Sequence, residues 1–299
     1  MSRHDKIKGI IPPIITPMNE DESFNEAEFR NQIERQIEGG VHGIFCYGTN
    51  GECYALNTQE KEEILKVAVD QIKGRVPVYA GTGCITTKET VEMSKRAEAL
   101  GADILSVITP YFAAVSQEEY EHYATVAEAV KIPIVLYNIP ARTGCSIAPE
   151  TVAKLAEIDN IVGAKDSSGN WDNLKAYIEL TRDKDFAVIS GNDSLILSAL
   201  KEGGVGGIAG CANVYPHNMV AIYERFKAGD LEGAQAAQDA IAPFRACFKY
   251  GNPNTIVKTA VGLLGYPVGK CRKPFYSMSD EGIQALKAVL EENKKNGMN

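Results

Sequence analysis

The sequence predicts an α/β protein, a (β/α)8 TIM barrel over residues 1–214 with a C-terminal helical extension over 215–299. Three features carry that expectation. Short apolar runs alternate with amphipathic helical patterns, and eight such strand–helix units fit into about 210 residues, the scale of a barrel domain. The strand runs are continuously apolar, as parallel strands covered on both faces require. Helix starts carry capping residues: Thr58 with Glu60 and Lys61 just after it, and Thr86 with Glu89 at capping-box spacing. A doubly wound open sheet is the alternative arrangement of the same units.

In chain order, "GIIPPIIT" (9–16) reads as a buried strand, followed by a helix over 25–39 that stops at Gly39 and Gly40. "HGIFCYG" (42–48) precedes a helix over 58–72, and "VPVYAGTG" (76–83) precedes one over 86–100. "ADILSVITP" (102–110) leads to a helix over 117–130, and "IPIVLYNIP" (132–140) to a short helix over 149–157. "IVGAKD" (161–166) is followed by a helix over 171–181, and "FAVISGND" (186–193) by a helix up to 202. "GGIAG" (206–210) is the eighth strand, and helices over 215–228, 231–248, 254–264 and 280–292 complete the chain.

A chain of 299 residues, 44% hydrophobic and 23% charged, builds a core that needs no disulfide or metal staple. The net charge of −8 reads as colloidal solubility and argues against nucleic acid, which wants a basic face. The one basic cluster, Lys270, Arg272 and Lys273, is short. No stretch reaches the ~20 continuous apolar residues of a membrane span. The charged start "MSRHDKIKG" lacks an apolar signal core, so a cytoplasmic location is expected. Cys46, Cys53, Cys84, Cys145, Cys211, Cys247 and Cys271 are odd in number and form no C-x-x-C pair, which reads as buried free thiols. There is no H-E-x-x-H and no His/Cys cluster at zinc spacing, so neither metal nor cofactor is expected. Gly204-x-Gly206-x-x-Ala209 fits a relaxed dinucleotide fingerprint but overlaps a strand instead of leading out of one, and reads as a tight turn. His42, His122 and His217 are scattered, and no Ser or Cys stands in a nucleophile-elbow context.

In a barrel the chemistry sits at the C-terminal strand ends. Only the sixth of these ends presents an amine, Lys165, at the close of an apolar run. Burying an ammonium is expensive, and barrel walls disfavour the charged form. A neutral lysine attacks carbonyls and forms a Schiff base. The plainer reading pairs Lys165 with Asp166 or lets it snorkel to water. Imine chemistry needs a proton shuttle, and Tyr137, at the end of the neighbouring strand, could supply one or could be a core aromatic. A keto-acid substrate also needs a carboxylate cradle, and the turn "GTNG" (48–51) offers a hydroxyl and backbone N–H groups, an anion-binding nest.

"GTNGE" (48–52), "YNIPARTG" (137–144) and "GAKDSSGN" (163–170), in that order and spacing, resemble the dihydrodipicolinate synthase / N-acetylneuraminate lyase family. The similarity runs from "GIIPPIITP" to "GNPNTIVKTAVGLLG". The resemblance implies a class I aldolase that joins or cleaves pyruvate and an aldehyde through a lysine Schiff base, in a homotetramer or homodimer. It casts Lys165 as the Schiff-base lysine, Tyr137 as the proton relay and Thr49 as the hydroxyl connected to it. Thr49 and Asn50 would hold the pyruvate carboxylate, the Ile208 carbonyl would line the pocket, and Arg142 would hold a carboxylate on the aldehyde. Two positions depart from the synthase pattern: Asn50 replaces a second threonine, and Phe112 replaces a tyrosine that completes the relay across a subunit interface. The histidines that many bacterial synthases use for lysine feedback are absent from "CYALNTQE" (53–60), which implies weak or no lysine inhibition. The implied activity is thus condensation of pyruvate with an aldehyde such as aspartate semialdehyde. The alternatives are cleavage of a 2-keto-3-deoxy sugar acid or a sialic-acid-like substrate, and a non-catalytic binding barrel.

Overall fold

A computed structural model describes residues 5–113, 115–116, 119–275 and 277–298. Its first elements are β1 (Gly9–Ile11), α1 (Glu26–Glu38), β2 (Ile44–Cys46), α2 (Thr58–Ile72), β3 (Val78–Gly81) and α3 (Thr87–Ala99). Then come β4 (Ile104–Ile108), α4 (Glu119–Ala129), β5 (Ile134–Asn138), α5 (Pro140–Thr143), α6 (Pro149–Leu155), β6 (Ile161–Asp166) and α7 (Trp171–Leu180). The barrel elements end with β7 (Ala187–Ser190), α8 (Ile196–Glu202) and β8 (Gly206–Ile208). Among the described residues, the helices α9 (Pro216–Lys227), α10 (Leu231–Ala240), α11 (Ala242–Ala246), α12 (Pro253–Leu263) and α13 (Asp280–Lys295) follow. The strands lie in one sheet in the order β1-β8-β7-β6-β5-β4-β3-β2, the strand order of a (β/α)8 barrel. Among the described residues, no helix is long and apolar enough to cross a membrane, and no group of three or more His, Cys, Asp or Glu could hold a metal ion.

The chain divides into two compact units. The first comprises Met1–Gly9 and Pro77–Ile208. Its strands β3 to β8 pair in parallel, each neighbour to the next, and are almost wholly buried. That double-sided burial is why they are written as unbroken apolar runs. Register sorts their inward residues into rows: Ser106, Val135, Gly163 and Ala187 stand side by side, and Ile108, Tyr137, Lys165 and Ile189 form the next row toward the strand ends. Gly163 is required by close approach, since a Cβ there would sit 2.7 Å from the Ala187 carbonyl oxygen. Gly163→Ala therefore lowers the unfolding free energy by about 1–3 kcal/mol, the scale of overpacking. The midpoint of denaturant unfolding reads this, and an unchanged midpoint would show that β6 and β7 part freely. Thr86 caps α3 as expected, accepting from Glu89 N at 3.2 Å. Of the helix expected over 117–130, residues 117 and 118 lie outside the described residues.

The second unit comprises Ile10–Val76 and Ala209–Asn299. The strand expected over 9–16 is regular only to Ile11, because Pro12 and Pro13 have no N–H to give a ladder. Backbone pairing nevertheless continues past it: Phe45 N donates to Pro12 O at 2.9 Å and Ile14 N to Phe45 O at 3.0 Å. The cap of α2 is Asn57 and not Thr58. Asn57 Oδ1 accepts from Glu60 N at 3.0 Å while Glu60 Oε2 accepts from Asn57 N at 2.9 Å, a complete capping box one residue earlier than expected. The helix expected over 231–248 is broken into α10 and α11. Pro243 cannot donate to a preceding carbonyl and its ring crowds the helix, so a new helix starts with proline in its first turn. Arg35 ties α1 to the stretch after β8, donating to Asn213 O at 2.5 Å and Val214 O at 2.6 Å, with its guanidinium 4.7 Å above the Tyr266 ring.

All seven cysteines are free thiols. Burial pushes those of Cys46 and Cys271 up to about 12, which keeps them protonated packing groups.

Candidate active site

In the first unit, β5 and β6 deliver Tyr137 and Lys165 to paired positions near their C-terminal ends. Both are inward, in one row, because side chains alternate along a strand and pair across it. The Lys165 Nζ lies 3.7 Å from the centroid of the Tyr137 ring. Lys165 is 3% exposed, so it does not snorkel. The next residue, Asp166, points to the other face and is equally buried. Its carboxylate accepts from Asn138 Nδ2 at 2.7 Å, Ser168 Oγ at 2.7 Å and Ser168 N at 3.2 Å. Asn138 Oδ1 in turn accepts from Ile147 N at 3.1 Å, and Ser167 N donates to Asn138 O at 2.8 Å. This network fixes the ends of β5 and β6 immediately beyond the tyrosine and the lysine.

Gly191, after β7, leaves room for the lysine stem. A Cβ at that position would be 2.8 Å from Lys165 Cε and would collide with Ser167 Oγ. Gly191 N donates to Asp166 O at 2.7 Å, which holds the glycine against the lysine. Three hydroxyls in this unit, Ser106 Oγ, Thr109 Oγ1 and Ser167 Oγ, are buried without a protein hydrogen-bond partner. Buried polar atoms in that state want water or a ligand.

Arg142 is exposed on the one-turn helix α5 of "NIPARTG". Its backbone N donates to Ile139 O at 2.9 Å, and Gly144 closes the turn with φ +79, a conformation that favours glycine. Ile208 is buried as the last residue of β8. Phe112, beyond β4, is 96% exposed and has φ +76, unusual for a bulky side chain.

Thr49 and Asn50 belong to the second unit, in the turn after β2. Thr49 O accepts from Glu52 N at 3.1 Å, and Gly48 O from Cys53 N at 3.3 Å. Left-handed backbone flanks the turn at two buried non-glycine residues, Tyr47 (φ 39) and Glu52 (φ 60). Such strain persists only where the surroundings enforce it, and it clusters at ligand-binding turns. Among the described residues, the N–H groups of Asn50 and Gly51 donate to no protein acceptor, which leaves them available to an anion.

Lys165 and Tyr137, expected at neighbouring strand ends, stand as a pair, and residues 49–50 form a turn as expected. Not foreseen from the sequence are the Asn138–Asp166–Ser168 network, Gly191 and the three unpartnered hydroxyls. Only the "SSGN" that follows Asp166, dense in capping side chains, hinted at the network.

The model of the dihydrodipicolinate synthetase family matches residues 6–293. A 4-hydroxy-tetrahydrodipicolinate synthase from Methanopyrus kandleri is 42% identical over 290 residues, covering 96% of both chains. The chloride-inhibited dihydrodipicolinate synthase of Acinetobacter baumannii, solved with pyruvate, matches with a TM-score of 0.93 and 33% identity, over 96% of this chain and 99% of that one. A dihydrodipicolinate synthase characterised as the first monomeric variant matches with a TM-score of 0.94 and 31% identity, over 98% and 99%.

Proposed function

The chain belongs to the dihydrodipicolinate synthetase family, a family of pyruvate-dependent Schiff-base lyases, and we propose that it condenses pyruvate with aspartate semialdehyde. The observation that carries the reading is the buried Lys165 amine against the face of the Tyr137 ring. In this reading the pyruvate carboxylate settles on the Thr49–Asn50 turn. Lys165 Nζ adds to the keto carbon, and the carbinolamine loses water as Tyr137 moves the protons, with the Thr49 hydroxyl assigned to the same relay. The imine gives up a methyl proton to the Tyr137 relay and becomes an enamine, whose carbon attacks the aldehyde carbonyl and forms the new C–C bond, the aldehyde oxygen taking a proton back from the relay. Hydrolysis of the imine returns the amine. Arg142 takes the carboxylate of the aldehyde, and the Ile208 carbonyl lines the pyruvate pocket. The catalytic barrel is residues 1–214 and the helical domain 215–299, in a cytoplasmic homotetramer or homodimer.

A second reading has a specific observation in its favour. Phe112 has no hydroxyl to complete a relay and Asn50 replaces a threonine, which suits cleavage of a 2-keto-3-deoxy sugar acid to pyruvate and an aldehyde. The test is borohydride reduction in the presence of pyruvate, then a panel of acceptors with pyruvate consumption as readout. A reduced pyruvate adduct and fastest consumption with aspartate semialdehyde are expected. Faster pyruvate release from a 2-keto-3-deoxy sugar acid transfers the assignment to the second reading. Absence of any adduct removes both and leaves a binding barrel.

A further inference from the structure

The turn at 48–52 is held from far along the chain. On α12, Asn254 and Lys258 are four residues apart and so share one helix face. Both are buried, at 3% and 1% exposure. Asn254 Nδ2 donates to Thr49 O at 2.8 Å. Lys258 Nζ pairs with Glu52 Oε1 at 2.6 Å, and the other oxygen of that carboxylate accepts from Arg272 N at 2.8 Å. Thr16 Oγ1 donates to Gly51 O at 2.8 Å. The carbonyls of Thr49 and Gly51 and the side chain of Glu52 are therefore all fastened to protein, while the N–H groups of Asn50 and Gly51 are not. A turn whose carbonyls are tied back presents its N–H groups, the arrangement an anion needs. The left-handed backbone at Glu52 would relax if its carboxylate were released.

We propose that Asn254 and Lys258 are positioning residues that hold the Thr49–Glu52 turn in its anion-binding form and so set the affinity for the pyruvate carboxylate. The helical segment after the barrel then acts on substrate binding, beyond covering the fold. The proposal rests on the reading that this turn takes the carboxylate of pyruvate.

The test is borohydride trapping as a function of pyruvate concentration, on the full chain and on Asn254→Ala. Loss of one buried hydrogen bond to the turn raises the half-saturating pyruvate concentration about tenfold. The adduct yield at saturation is unchanged, because Lys165 is intact. Pyruvamide, which has no carboxylate, shows no such shift. If Asn254→Ala is not recovered folded, Lys258→Arg is read instead; it keeps the charge but changes the reach, and a shift in the same direction is expected. An unchanged half-saturation point overturns the proposal even if the variant melts earlier, since a purely structural role moves melting alone. An equal shift with pyruvamide, or a lost plateau, overturns it as well. If the unaltered protein forms no adduct, it is the pyruvate reading that fails, and the two failures are distinguishable.

Discussion

Lys165→Ala abolishes turnover and leaves no reduced pyruvate adduct after borohydride treatment. The side chain is 3% exposed at the end of β6, and its amine lies against the Tyr137 ring, 3.7 Å from the centroid. Truncation removes the only nucleophile the reading assigns, and neither Tyr137 nor the serines nearby forms an imine. The loss is expected down to background, since removing the covalent nucleophile of a concerted set costs about as much as removing the set. Lys165→Arg behaves the same way, because a guanidinium stays protonated and cannot add to a keto carbon. Asn138, Asp166 and Ser168 hold the strand ends without help from the lysine side chain, so the variant folds. Intact-protein mass after reduction is the deciding measurement. An adduct of one reduced pyruvate on Lys165→Ala would show that another amine carries the chemistry.

The barrel was legible because its strands are buried on both faces. Continuous apolar runs separated by amphipathic helices have few other solutions, and "IVGAKD" and "IPIVLYNIP" fall on β6 and β5. What the pattern could not fix were the places where one residue type overrides a run. Two prolines shorten β1 inside an apolar stretch that reads as strand throughout. Pro243 splits a helix whose apolar spacing carries on across the break. At α2, Asn57 and Thr58 are both good caps, and only the reciprocal bonds with Glu60 decide between them.

The candidate site was legible where its residues stand at strand ends, as with Lys165 and Tyr137. It was not legible where long-range contacts do the work. Asp166 reads in sequence as a natural partner for Lys165. Alternation along the strand turns it to the other face, where Asn138 and Ser168 occupy its oxygens. The fastening of the turn at 49–52 by Asn254 and Lys258 spans more than 200 residues of chain (separations of 205 and 206). No spacing rule within a motif reaches that far. A lysine in "NPNTIVKTAVGLLG" looks like a solvated helix position until its burial against Glu52 is seen.

Tyr137→Phe slows turnover by roughly 10²-fold or more, the contribution of a positioned acid–base group. The substitution keeps the ring and deletes one oxygen, so the packing of a residue that is 4% exposed is preserved and the Lys165 amine keeps its aromatic neighbour. The effect therefore isolates proton transfer. Imine formation and collapse both pass through a carbinolamine whose oxygen must be protonated to leave as water, and the phenol is the group that shares a row with the amine. The variant still reaches a full yield of reduced adduct when given time, because the nucleophile remains, but it reaches it slowly. A rate of trapping that falls with turnover places the lost proton transfer in imine formation. Normal trapping with slow turnover places it after the imine. Near-normal rates in both would move the shuttle to another hydroxyl, and Ser167 Oγ, buried without a partner beside the lysine stem, is the one to mutate next.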